Sequence, residues 1–224
     1  MRKVDILGIG FDNTDVVGAV THAIRLMEQH SGEYLLAPGY DTVLEAGKRE
    51  KLRRALRGAD TVLPSGRGLI AASYILGTPI KHEIPGETFA SALLARMSDL
   101  GMSVYILGEG YTVERAAAAV LRRYPGLSVA GTTDLRLADD QRAAEVINAV
   151  SPDLLLVGLP GVRQELWIAR NIQRLNAGLI AGLGDVLYAY ADDPIPAKER
   201  RALAFLDLPV VIATTLWQRI SGAE

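Results

Sequence analysis

A chain of 224 residues lies near the upper limit of what one hydrophobic core organises, and 49% apolar with 22% charged residues is a globular composition, not a disordered or fibrous one. Twenty-four basic against 26 acidic side chains leave a formal net charge of -2, which excludes a surface built mainly for a polyanion, so no nucleic-acid partner is expected. The absence of cysteine excludes disulfides, thiolate metal sites and a cysteine nucleophile; His22, His30 and His82 stand too far apart for a helical ligand pair, so no metal is expected.

Short β-rich runs bounded by glycine or proline alternate along the chain with longer runs of helical period. Val4–Leu7 reads as a first strand; the apolar stretch to Ile9 is short and interrupted by Asp5, unlike a signal peptide. Asn13 and Thr14 are placed to cap a helix with Val16, Val20, Ala23, Ile24 and Met27 on one face, ended by Ser31-Gly32. Tyr34–Ala37 reads as a strand stopped by Pro38-Gly39, leading into one helix through Val43, Leu44, Leu52, Ala55 and Leu56. The basic residues Lys48, Arg49, Lys51, Arg53 and Arg54 on that helix suit either a solvated face or a contact with anionic lipid or phosphate.

Thr61–Leu63 is a short strand feeding Pro64-Ser65-Gly66-Arg67-Gly68, after which Leu69–Leu76 is helical. Pro85-Gly86 opens a helix that runs to Leu100, and the strand Ser103–Leu107 leads through Gly108-Glu109-Gly110 into the alanine-rich helix Val113–Tyr124. The unit repeats with strand Leu127–Ala130, helix Asp139–Val150, strand Leu154–Val157, helix Gln164–Leu175 and strand Leu179–Ala181. Continuously apolar strands such as Leu154–Val157 belong in a parallel sheet covered on both faces. The expected fold is therefore α/β: a doubly wound, mostly parallel Rossmann-like sheet with helices on both faces. It occupies residues 1–193, with a Pro/Asp linker at Asp192–Pro196 and a short C-terminal helical appendage in 194–224. The apolar run Leu208–Trp217 in that appendage covers about half of the roughly 20 residues a membrane span requires.

In open parallel sheets ligands bind beyond the carboxyl ends of the strands, where helix N-termini favour anions. Four loops of this kind stand out: Ala37-Pro38-Gly39, Pro64–Gly68, Gly108-Glu109-Gly110 and Gly158-Leu159-Pro160-Gly161. The third of these suits either a phosphate loop or a tight turn, because Val113 stands where a dinucleotide fingerprint has its last glycine. After the fourth, Arg163 and Gln164 are placed to address a phosphate or sugar, or else simply begin a helix whose Trp167 lies in the core. A Walker lysine, a G-x-S-x-G elbow and an H-E-x-x-H helix are all absent from the sequence.

From Val4 to about Asp193 the chain resembles the bacterial WecG/TagA/CpsF glycosyltransferases, whose type activity moves N-acetylmannosamine from UDP to a lipid-linked N-acetylglucosamine. The likeness rests on Asp5–Ile9, Ala37-Pro38-Gly39 for the family's T-P-N, and Leu63–Gly68 for its P-D-G-x-G. It continues through Ile84-Pro85-Gly86, Tyr105–Gly108, Arg123–Leu127 and Arg163-Gln164-Glu165-Leu166-Trp167-Ile168, the counterpart of K-Q-E-x-W. What the resemblance implies is an inverting, metal-independent transfer with no cofactor, a UDP-sugar donor, and an undecaprenyl-linked acceptor met in the cytoplasm at the inner face of the plasma membrane. Gly66, Arg67, Gly68, Gly108, Glu109, Gly110, Arg163, Gln164 and Glu165 would then bind the sugar nucleotide.

The catalytic positions depart from the family pattern. Ser65 stands at the aspartate base, Gly39 at the asparagine, Ala37 at the threonine, Glu83 at the arginine, and Thr88 at a further aspartate. A lone serine cannot replace a carboxylate without a base of its own. Two expectations follow: an active transferase in which Asp41, Glu83 or Glu87 supplies the carboxylate, or a catalytically degenerate relative serving as a binding subunit in a homo-oligomer or with an active paralogue.

Overall fold

The computed structural model describes residues 2–192. The appendage expected in 194–224, including Leu208–Trp217 and the basic residues Lys198, Arg200, Arg201 and Arg219, lies outside the described residues.

The chain opens with strands β1 (Lys3–Ile6) and β2 (Ile9–Asp12), helix α1 (Val16–Glu28), β3 (Glu33–Leu36), α2 (Tyr40–Ala46), α3 (Glu50–Arg57), β4 (Thr61–Val62), α4 (Arg67–Ile75) and α5 (Gly86–Asp99). It continues with β5 (Ser103–Gly108), α6 (Tyr111–Arg123), β6 (Ser128–Asp134), α7 (Asp140–Val150), β7 (Leu154–Gly158), α8 (Arg163–Asn171), a 3-10 turn, β8 (Leu179–Gly182) and α9 (Val186–Ala191). Six strands form one sheet in the order β4-β3-β8-β7-β5-β6, and every pairing in it is parallel.

Alternation along the strands assigns each side chain to a layer. Leu154 and Leu156 of β7 join one buried cluster with α1, α5, α6 and α9, while Leu155 and Val157 join a second with α2, α3, α7 and α8. Helices thus cover both faces, as the apolar strands require.

Three local expectations are corrected. The first strand is not a member of the main sheet: β1 and β2 form a separate antiparallel hairpin. Its turn places Leu7 and Gly8 at φ 56 and 75, the tight two-residue geometry that matches strand twist. The hairpin seats Val4, Ile6, Ile9 and Phe11 in the second cluster, and buried Asp12 accepts from the Val62 amide at 2.9 Å, covering part of the outer edge of β4. Asp15, not Asn13 or Thr14, caps α1, accepting from the Gly18 amide at 2.8 Å.

The long helix expected after Gly39 breaks into α2 and α3 around Gly47. Its basic residues form the solvated face: Arg49 pairs with Glu45, and Arg53 and Arg54 with Glu50. The stretch after Gly184, which has no strong cap in sequence, is the short helix α9, wedged against α6 and α5.

Strand order positions the site. Neighbouring β3 and β8 send their following helices to opposite faces, α2 into one cluster and α9 into the other. Their carboxyl tips therefore part, as at the switch point of doubly wound sheets.

Candidate functional site

A cleft of about 500 Å³ opens at that parting. The loop after β3 contributes Ala37, Gly39 and Asp41, the loop after β4 contributes Ser65, Gly66, Arg67 and Gly68, and the start of α8 contributes Gly161, Gln164 and Glu165. Gly184 and Asp185, after β8, close it. An adjoining hollow shares Ala37, Gly39, Ser65, Gly184 and Asp185 and adds Pro85, Gly86, Glu87 and Thr88.

Three helices begin at this cleft, α2 behind Gly39, α4 behind Gly66 and α8 behind Val162, and none carries a side-chain cap among the described residues. Gly66 holds φ 132, a conformation that L side chains rarely adopt, as the chain turns from β4 into α4. Of the remaining α-helices among the described residues only α1 and α7 are capped by a side chain, Asp15 and Asp139, so what sets these three starts apart is that they converge on one cleft. Uncapped N-termini present amide donors and the positive end of the helix dipole, so three of them converging suit an anion. Arg67 adds a guanidinium at the rim; its contact with Glu83, at 4.0 Å and largely exposed, is weak.

The floor is polar and buried. Gln164 is 1% exposed and Glu165 2% exposed. The Gly184 amide donates to Gln164 Oε1 at 3.2 Å, and Gln164 Nε2 donates to Glu165 Oε1 at 3.1 Å. This chain of bonds fixes the amide's orientation and holds the carboxyl in place. Glu165 Oε2 has no hydrogen-bond partner among the described residues. Burial pushes this carboxyl up to about 7, opposed by the hydrogen bonds from Gln164 and its own amide and reinforced by the charges of Glu45 and Asp185. Behind it Trp167 lies in the core, its indole donating to Asp140 at 2.8 Å.

The residues singled out in sequence are divided by the fold. Ser65, Gly39, Asp41, Gly66, Arg67, Gly68, Gln164 and Glu165 come together in the cleft, and Glu87 lies in the adjoining hollow. Glu83 lines neither and faces Arg67. Gly108, Glu109, Gly110 and Arg163 also lie outside the cleft lining.

Gly108 is a packing glycine: a Cβ there would stand 3.0 Å from the Gly158 carbonyl oxygen and 3.1 Å from Leu187 Cδ1. Glu109 and Arg163 pair with each other, with Arg163 Nη1 donating to Glu109 Oε2 at 2.9 Å. Gly110 belongs to a second hollow of about 540 Å³, with Tyr111, Thr132, Asp134 and Arg136. There the Gly110 and Arg136 amides donate to Asp134, which overcomes its partial desolvation and holds its carboxyl below the usual range. Of the residues expected to bind the sugar nucleotide, Gly66, Arg67, Gly68, Gln164 and Glu165 thus line one cleft, and Gly110 lines another hollow.

Gly161 belongs to one of the four loops expected to face a ligand, whereas Gly184 and Asp185 are cleft residues outside the expected set. Gly184-Asp185 follows an apolar strand, the same signal that marked the other loops. No group of three or more histidine, aspartate and glutamate residues is arranged to hold a metal ion among the described residues.

The sequence profile of the glycosyl transferase WecG/TagA/CpsF family matches residues 4–198. The chain is also similar to the N-acetylglucosaminyldiphosphoundecaprenol N-acetyl-beta-D-mannosaminyltransferase of Staphylococcus aureus strain NCTC 8325 / PS 47, with 28% identity over 227 residues. That alignment covers 97% of this chain and 87% of the relative, and the same enzyme from strain MRSA252 is equally similar. With a match running through every loop of the cleft, the chain belongs to the WecG/TagA/CpsF glycosyltransferase family.

Proposed function

We propose that the protein is a UDP-sugar-dependent inverting transferase, moving N-acetylmannosamine or a related N-acetylhexosamine to an undecaprenyl-diphosphate-linked N-acetylglucosamine in the synthesis of a cell-surface polysaccharide or teichoic acid. The observation that carries this reading is the meeting of three uncapped helix starts above a buried Gln164–Glu165 pair. The helix starts and Arg67 suit a diphosphate whose negative charge grows as it leaves. The floor suits the hydroxyls of a sugar.

The nucleoside extends past the Glu109–Arg163 pair toward the second hollow. Tyr111, 81% exposed, offers a ring there for stacking, and Gly108, Glu109 and Gly110 form the turn beneath it. No helix among the described residues is long and apolar enough to cross a membrane. Work at the cytoplasmic face would therefore bring a lipid-linked acceptor to a peripheral protein, in keeping with the substrate in the relatives' name.

The experiment is titration calorimetry with UDP and UDP-N-acetylmannosamine, followed by a transfer assay with a lipid-linked N-acetylglucosamine analogue. Binding with turnover supports the reading; absence of both removes it. A second reading, a degenerate member acting as a partner subunit, is favoured by Ser65, whose hydroxyl has no hydrogen-bonded base among the described residues. Donor binding without turnover, together with co-purification of an active paralogue, would select it.

A further inference from the structure

We propose that Glu165 is the general base of this chain, receiving the proton of the acceptor hydroxyl in place of the carboxylate that Ser65 does not supply. The assignment rests on the transferase reading above. Its basis is geometric: Glu165 lines the same cleft as Ser65, is 2% exposed, and keeps one oxygen without a partner among the described residues.

The other acids near the cleft are placed differently. Asp41 and Asp185 are exposed; Glu87 is exposed in the adjoining hollow, and Glu83 faces Arg67. A buried acceptor atom left unpaired is costly, and Glu165 is one of the residues that line the cleft. A sugar hydroxyl is a donor suited to it. The bond from Gln164 Nε2 occupies the opposite oxygen and so reserves Oε2 for the ligand.

In the reaction the acceptor O–H bond breaks as its oxygen forms a bond to the donor's anomeric carbon. The bond from that carbon to the diphosphate oxygen breaks at the same time, and UDP departs with the electron pair. The proton ends on Glu165 Oε2, so the charge lost by the carboxylate appears on UDP.

Burial sets this carboxyl near about 7, where a base is half ionised at neutral pH and strong enough to act. The charged groups around it are consistent with that. Glu45 and Asp41 of α2 and Asp185 before α9 are acidic, and Arg49 is held by Glu45. On α3, which packs against α8, Arg53 is paired with Glu50, and Asp140 of α7 is engaged by Arg170 and Trp167.

The test is Glu165→Gln, which keeps shape and hydrogen bonding, measured in the full chain. Transfer should fall by about 10²–10⁴-fold in kcat while affinity for UDP, which lacks the transferred sugar that would meet the floor, stays within about threefold of wild type by calorimetry. The wild-type rate should rise with pH through about 7, and the residual rate of the variant should lack that limb. Should Glu165→Gln lose its cooperative melt, Glu165→Asp carries the test: a slower enzyme that keeps the limb supports the assignment. Glu165→Gln at the wild-type rate, or a wild-type profile flat through neutrality, overturns it while leaving the transferase reading standing. A wild-type chain that neither binds donor nor transfers sugar overturns both.

Discussion

The two depressions at the carboxyl edge of the sheet are built on opposite principles. Around the cleft at the tips of β3, β4, β7 and β8, helix starts are uncapped and a buried carboxyl oxygen lacks a partner. In the hollow beyond β5 and β6, the Gly110 amide just before α6 is already answered by Asp134, which Arg136 pairs in turn. The difference teaches that a glycine-rich turn between strand and helix is not in itself an anion site. What decides is whether the protein's own carboxylate occupies the helix start. The open cleft is suited to the charged and reacting parts of a ligand, and the satisfied hollow to a neutral ring.

The sharpest way to break this contrast is through stability, because an unsatisfied site should strain the folded protein. Glu165 titrates higher in the folded chain than its ordinary 4.5, so the stability it confers is complete below that pH and is lost as pH rises through about 7. Glu165→Gln removes this loss, and denaturant unfolding above pH 8 should show a gain of ~3 kcal/mol over wild type, with none at pH 4. Equal stability at both values would mean that the carboxyl is solvated and the cleft is not strained.

Next in size, Gln164→Ala should lower kcat by about 100-fold, because the amide that aims Glu165 and receives the Gly184 N–H is gone. Restored activity in Gln164→Asn would contradict that geometry, since the shorter side chain does not span both partners. On the hollow's side, Tyr111→Ala should weaken UDP binding by about fivefold, near 1 kcal/mol, with kcat unchanged. A fall in kcat instead would place the ring beside the reacting sugar.

The smallest effect is a control on the helix argument. Asp139→Ala removes the cap of α7, and should cost about 1 kcal/mol of stability by chemical denaturation with transfer unaffected. Loss of transfer would show that capped and uncapped starts are not functionally distinct.

The sheet was legible in sequence because its buried strands are short apolar runs bracketed by glycine and proline, and the loops at their tips carried the family's motifs. Ser65–Gly68 and Gln164–Glu165 were found in this way. The hairpin was not, since Val4–Ile6 has the composition of a core strand, and only the turn at Leu7-Gly8 and the tie from Asp12 to Val62 set it apart. The single helix expected through Val43 and Leu56 failed at Gly47, where apolar spacing continued across a break that backbone geometry imposes. For Gly108 the sequence leaves a phosphate loop and a tight turn both open; its packing against Leu187 is a contact from a helix about 80 residues later that no local pattern announces. Glu165 looked like an ordinary acid in a helix's first turn; its isolation is a property of the assembled cleft.

Leu187 has one further consequence. Its side chain packs on two glycines side by side on neighbouring strand ends, Gly108 and Gly158. A side chain at Gly158 would have to displace Leu187 and with it shift α9 against the tips of β5 and β7, so bulk added at that one strand end would reach the sheet's edge through a helix distant in sequence.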